Sequence, residues 1–145
     1  YEPHAFSHYR APWMDAGKYT GEVHYPGQTV NENDLDGYPA NIVADINRSN
    51  GFYTKDSLRQ LMNESILFAK EHRLQLYCGE FGTMPTVRRS DRLKWYSDVC
   101  SLLETNDIAW TCWDFKGGLF GIVNLGTGSP DMNLIRMLFP DRIQP

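Results

Sequence analysis

Long hydrophobic runs are missing from this chain of 145 residues. Nothing in it approaches the roughly 18 consecutive apolar residues of a membrane-spanning helix, and the mean hydropathy is −0.48. Positive charge is in deficit as well: 14 Lys and Arg stand against 18 Asp and Glu, and Arg88-Arg89 is the only basic doublet. Neither nucleic acid nor an anionic membrane is therefore expected as a partner. Cysteine is confined to Cys78, Cys100 and Cys112, an odd number without CxxC spacing, read here as small buried hydrophobes and not as a disulfide or metal set. GxGxxG, GxxxxGK, GxSxG and HExxH are all absent, which removes the common nucleotide cradles, the nucleophilic-serine elbow and the zinc-protease helix. His4 and His8 stand four apart, but Pro3 and Pro12 bracket them and further ligands are scarce, so no metal is expected. Tyr1-Glu2-Pro3-His4 has neither the charged nor the apolar region of a signal peptide.

What is present alternates. Thr54 can cap a helix running to about His72, with Asp56 in its first turn and Leu58, Leu61, Met62, Ser65 and Ala69 as one stripe. Leu74 to Phe81 is short and mostly apolar and reads as a buried strand. A second helix is expected from a Ser90 cap, with Leu93, Tyr96, Val99, Cys100 and Leu103 on one face. Asn106-Asp107 ends it, Ile108 to Trp113 is a second buried strand, and Ser129-Pro130 opens a short last helix at Leu134 to Leu138. Helix, strand, helix, strand, helix is the order of parallel α/β architecture. Two or three strands cannot close a barrel, so the free strand edges require another segment or another chain. Residues 14–53, rich in Gly, Pro, Asn and Asp, are expected as one long irregular loop, with a helical turn at Ile42 to Ile46.

Glu80, in Gly79-Glu80-Phe81-Gly82, sits at the C-terminal end of the first strand, the end at which parallel barrels assemble active sites. An alternative is a surface carboxylate paired with a cation. Trp113 ends the second strand, where a flat ring can stack on the C–H face of a sugar; the plainer alternative is a core tryptophan. Trp110, three residues earlier, falls on the opposite face. The opening residues 1–13 are rich in rings and hydroxyls, as sugar sites are.

These motifs, in this order, resemble those of glycoside hydrolase family 5, the cellulase and mannanase family built on a (β/α)8 barrel. Tyr1-Glu2-Pro3 through Phe6-Ser7-His8 and Trp13 is similar to the segment after strand six, Gly79-Glu80-Phe81-Gly82 to the strand-seven motif, and Trp113-Asp114-Phe115-Lys116 to the strand-eight motif. The resemblance implies a single partial catalytic domain over residues 1–145, running from the end of strand six to the last helix. It implies a retaining endo-β-1,4-glucanase with Glu80 as nucleophile, Tyr1 orienting it, His8 and Trp113 lining the cleft, and Trp13 and Lys116 flanking it. β-Mannanase or mixed-linkage glucanase activity is the near neighbour. No metal or organic cofactor is implied, and secretion or a periplasmic location is. The family's acid/base Glu, in Asn-Glu-Pro, has no counterpart, because Asn63-Glu64-Ser65 lies in mid-helix. The partners implied are a β-glucan and the N-terminal half of the barrel, in the same polypeptide or another. The rival expectation is a non-catalytic half-barrel that forms a homodimer and binds glycans.

Overall fold

A computed structural model of the chain describes residues 6, 9, 11, 14–85, 87–117 and 120–140. Residues 14–53 are more ordered than their composition suggests. They hold 3-10 turns at Asp15–Lys18 and Glu32–Leu35, a two-residue strand β1 (Gly27–Gln28) and helix α1 (Ala40–Asn47). Strand β2 (Phe52–Tyr53) pairs antiparallel with β1, Gly27 opposite Tyr53. The Asn50 side chain ties the ribbon together: its Oδ1 accepts from the Val30 N–H at 3.0 Å and its amide donates to the Val30 carbonyl at 3.0 Å.

Helix α2 (Lys55–His72) starts at Thr54, whose hydroxyl accepts from the Ser57 N–H while Ser57 Oγ accepts from the Thr54 N–H. That reciprocal box satisfies two otherwise orphaned donors. Arg73, in the left-handed region at φ 56°, ends the helix. Its buried side is Leu58, Ile66 and Ala69. Leu61 and Ser65, expected on that stripe, are exposed instead, because the helix leans on its neighbour through the Leu58–Ile66–Ala69 face alone.

Strand β3 (Tyr77–Phe81) begins three residues later than expected and runs parallel to β4 (Ala109–Cys112), with helix α3 (Arg89–Thr105) between them in sequence. Among the described residues these two strands form a sheet of their own. They are not buried on both faces as expected: Tyr77 is 64% exposed, since helices cover only one side. Arg88, not Ser90, is the N-cap of α3 and offers no side-chain cap; Ser90 lies within the helix and its hydroxyl donates to Asp91. Helix α4 (Met132–Leu138) likewise starts from Asp131, whose carboxylate accepts from the Leu134 N–H at 3.1 Å. Pro130 is instead bridged to Val123. Serine and aspartate cap about equally well, and here it is Asp131 that reaches the Leu134 amide.

The core is aromatic. Phe6 packs against Tyr25, Tyr53 and Trp95, and Phe81 against Trp95, Tyr96 and Trp110, with ring centres 5.4–6.1 Å apart. Trp110 also stacks on Phe139, under the last helix. The 14–53 segment is rooted on α3 by Tyr25, whose N–H donates to buried Asp91 at 3.1 Å and whose hydroxyl donates to buried Asp98 at 2.8 Å. Burial pushes the Asp91 carboxyl up, but the Arg88 guanidinium, the Tyr25 N–H and the Ser90 hydroxyl outweigh it and hold the group below the usual range. Cys100 is buried, and Cys78 and Cys112 are half-buried. Among the described residues no helix is long and apolar enough to cross a membrane.

Candidate active site

The ladder between β3 and β4 is irregular at one point, and that point is the glycine–glutamate pair. Tyr77 lies opposite Ala109 and Cys78 opposite Trp110, but Phe81 lies opposite Cys112. Three steps along β3 therefore match two along β4, so β3 carries one extra residue between Cys78 and Phe81. Side chains alternate faces along a strand. An unbroken β3 would send Cys78 and Glu80 to one face and Phe81 to the other. The bulge resets the phase. Phe81 turns to the helix-covered side with Cys78, Trp110 and Cys112, and Glu80 joins Tyr77, Thr111 and Trp113 on the open side, where all four are exposed. Re-aiming one side chain is what bulges near active sites do.

The open face is laced by the hydroxyls of Tyr77 and Thr111, which are hydrogen bonded across the two strands. The Cys78 thiol donates to the Glu80 carbonyl at 3.6 Å, across the bulge. Beyond β4 the ladder continues by one bond, Trp113 N–H to the Phe81 carbonyl at 2.8 Å. Trp113 is 50% exposed. Lys116 lies exposed on the following loop. Asp114 closes that loop, its carboxylate accepting from Gly117 N–H at 2.9 Å and its carbonyl from Ile122 N–H at 3.0 Å.

Gly82 lets the two strand ends meet. A Cβ there would come closer than 3.0 Å to the Trp113 carbonyl oxygen and lie 3.3 Å from the Phe120 ring. The next residues are pinned from beneath, Thr83 N–H donating to the Tyr96 hydroxyl at 3.1 Å and Met84 N–H to the Phe6 carbonyl at 2.9 Å. Burial pushes the Tyr96 phenol far up, so it remains a neutral hydroxyl. Thr83, Tyr96, Tyr77 and Thr111 were not singled out by their sequence positions. The alternation of hydroxyls with apolar residues marks Tyr77 and Thr111 as one face once the pairing is known; Tyr96 has no local signal.

Tyr1, His8 and Trp13 lie outside the described residues. Three further acids are engaged with other groups: Asp15 with Lys18 at 3.5 Å, Glu22 with His24 at 3.8 Å, and Asp114 within its own loop. Among the described residues no group of His, Cys, Asp and Glu could hold a metal ion.

A parallel strand pair with covering helices, and a carboxylate re-aimed at the C-terminal strand end, defines the class: part of a (β/α)8 barrel, built as barrel glycosidases are. No protein-family model matches the chain. It is 31% identical over 141 residues to Endoglucanase C of Acetivibrio thermocellus, and equally to Endoglucanase C307 of Clostridium sp. strain F1, covering 95% of this chain and 40% of each relative. The chain thus spans about two fifths of the length of these curated relatives. Its fold superposes on Thermotoga maritima Cel5A, solved with cellobiose and with mannotriose, with a TM-score of 0.67 at 22% identity over 95% of this chain and 37% of that one. A further solved glycoside hydrolase gives a TM-score of 0.70 at 25% identity, over 99% and 40%. Over its length the chain thus resembles the C-terminal portion of the barrel of glycoside hydrolase family 5 enzymes.

Proposed function

We propose that residues 1–145, as a single partial catalytic domain, supply the nucleophile half of a retaining β-1,4-glucan hydrolase. The observation that carries this is the β3 bulge, which turns Glu80 onto the face that also bears Trp113. In the first step a Glu80 oxygen attacks the anomeric carbon. The bond from that carbon to the leaving oxygen breaks, and a carboxylic acid from the remaining barrel, about 5 to 5.5 Å away, gives the leaving oxygen its proton. In the second step the same group, now a carboxylate, takes a proton from water, which displaces Glu80 and restores it. Trp113 forms the platform under the cleaved unit. Tyr1 orients the nucleophile, and His8, Trp13 and Lys116 complete the cleft and its flanks.

The N-terminal portion of the barrel is required for this chemistry; its strands would pair with the free edges of β3 and β4, and the exposed face would then turn inward. The test is Glu80→Gln in the protein that contains this chain together with its Asn-Glu-Pro segment. Hydrolysis of carboxymethylcellulose is expected to fall by at least about a thousandfold, with a mannan assay run beside it to place the substrate. Retention of about a tenth of the activity would refute the nucleophile role. Self-association of this chain through the same face, with no hydrolysis by any form, would establish the homodimeric, non-catalytic reading instead.

A further inference from the structure

The extra residue of β3 has a fastener on either side of it. Cys78 lies opposite Trp110 and Phe81 opposite Cys112, so Thr111 stands across from Gly79 and Glu80 together. Beyond the bulge, Trp113 N–H holds the Phe81 carbonyl at 2.8 Å. Before it, the Tyr77 hydroxyl reaches forward along the open face to the Thr111 hydroxyl. The Tyr77 ring runs the same way, since it lies 3.8 Å from the place a Cβ on Gly79 would take. Five residues of β3 are thereby fixed at both ends against four of β4, and the surplus residue has to stay between the two fasteners.

On the covered side the strands are held by burial of Phe81 among Trp95, Tyr96 and Trp110. The hydroxyl pair is on the other side, with Tyr77 64% exposed. Water competes for both of its members, so the bond adds little to stability. Its consequence is geometric. Without it, the segment from Tyr77 to Gly79 is free to slide toward a regular ladder, in which Glu80 falls on the helix-covered face.

We propose that Tyr77 and Thr111 are positioning residues for Glu80: their hydroxyl pair fixes the near end of the bulge and with it the direction of the carboxylate. This role rests on the nucleophile reading of Glu80 and adds to it the two side chains that aim the nucleophile.

The test is covalent labelling of the protein that contains this chain together with its Asn-Glu-Pro segment. The probe is 2,4-dinitrophenyl 2-deoxy-2-fluoro-β-cellobioside. A Glu80 oxygen bonds to the anomeric carbon as the bond to the aryl oxygen breaks, and dinitrophenolate leaves with the electron pair. So stable a phenolate needs no proton from an acid, and the fluorine slows hydrolysis of the glycosyl-enzyme, which accumulates. Wild-type protein should release one phenolate per chain and carry the sugar on Glu80. Tyr77→Phe and Thr111→Val should each lower the saturated labelling rate at least about tenfold and leave the half-saturating concentration within about twofold. Because one bond is lost in either case, the double variant should label within about twofold of the slower single variant. Thr111→Ser keeps the hydroxyl and should label within about twofold of wild type. Single variants that label at the wild-type rate, losses that add in the double variant, or a loss seen only in the half-saturating concentration would each overturn the positioning role. A wild-type protein that takes no label on Glu80 would overturn the nucleophile reading itself.

Discussion

Gly79 and Gly82 flank the same glutamate, yet the structure assigns them opposite sensitivities. A Cβ on Gly79 meets nothing nearer than the Tyr77 ring at 3.8 Å, ordinary contact. On Gly82 it would press into the Trp113 carbonyl, a backbone atom that cannot swing aside. Neither glycine has a left-handed φ, so the difference is steric alone. Gly82→Ala forces the strand ends apart, which as overpacking costs about 1–3 kcal/mol. The retreat also stretches the 2.8 Å bond from Trp113 N–H to the Phe81 carbonyl, a loss of about 1 kcal/mol. Reduced freedom of the unfolded chain offsets about 0.4–1 kcal/mol. The net expectation is about 1–3.5 kcal/mol of destabilisation for Gly82→Ala, by the urea midpoint at constant m-value, against less than about 0.5 kcal/mol in either direction for Gly79→Ala. Equal effects, or a neutral Gly82→Ala, would refute the close approach of the strand ends.

Tyr25→Phe removes the hydroxyl that Asp98 accepts at 2.8 Å while Lys94 stays on the other oxygen at 2.6 Å. A bond to a buried carboxylate stabilises by about 1.5–3 kcal/mol, and a urea-midpoint change under about 0.5 kcal/mol would show that Tyr25 does not root the 14–53 segment. Asp131 forms a two-bond fork with Arg89, 2.8 Å each, and tests that pair by pH. Its carboxyl is held down to about 2, chiefly by the Arg89 hydrogen bonds, so the stability it contributes is present above its unfolded pKa near 3.9 and is lost as pH falls through about 2. Asparagine still caps a helix, so Asp131→Asn should remove only the ion pair. With the Arg89 side chain 56% exposed, that loss is about 1 kcal/mol at neutral pH, and the two stability curves should converge in acid; parallel curves down to pH 2 would contradict the assignment.

Helix α2 and the strand ends were legible because their signals are local. Thr54 and Ser57 are three residues apart and make their box without help from the rest of the chain. Gly79-Glu80-Phe81-Gly82 announced a carboxylate at a strand end. The bulge could not be read, because it exists only in the pairing of β3 with β4, across more than thirty positions of sequence. Asp91 and Asp98 were overlooked for the same kind of reason. Two acids seven apart on a helix look like a solvated face, and only Tyr25, distant in sequence, turns them into buried acceptors. The caps at Arg88 and Asp131 each lie two residues from the expected ones, and only at Asp131 does a side chain reach an amide.

The placement of Glu80 is secured through the residue that follows it. Phe81 faces the opposite side and is held between Trp95, Tyr96 and Trp110, while its carbonyl fastens Trp113 and Gly82 admits the crossing. Tyr96 then holds Thr83. Because strand alternation is rigid, fixing Phe81 toward the helices fixes Glu80 away from them. The carboxylate can thus stand in the open, where a sugar can reach it, without relying on mobile surface contacts for its orientation. The nucleophile role proposed for Glu80 requires a group both accessible and held in register, and here the accessible residue and the anchored residue are neighbours separated by one step of the pleat. The same arrangement accounts for the odd exposure of the sheet. Tyr77, Thr111 and Trp113 lack apolar cover because the helices packed on Phe81 lie on the other side of the two strands.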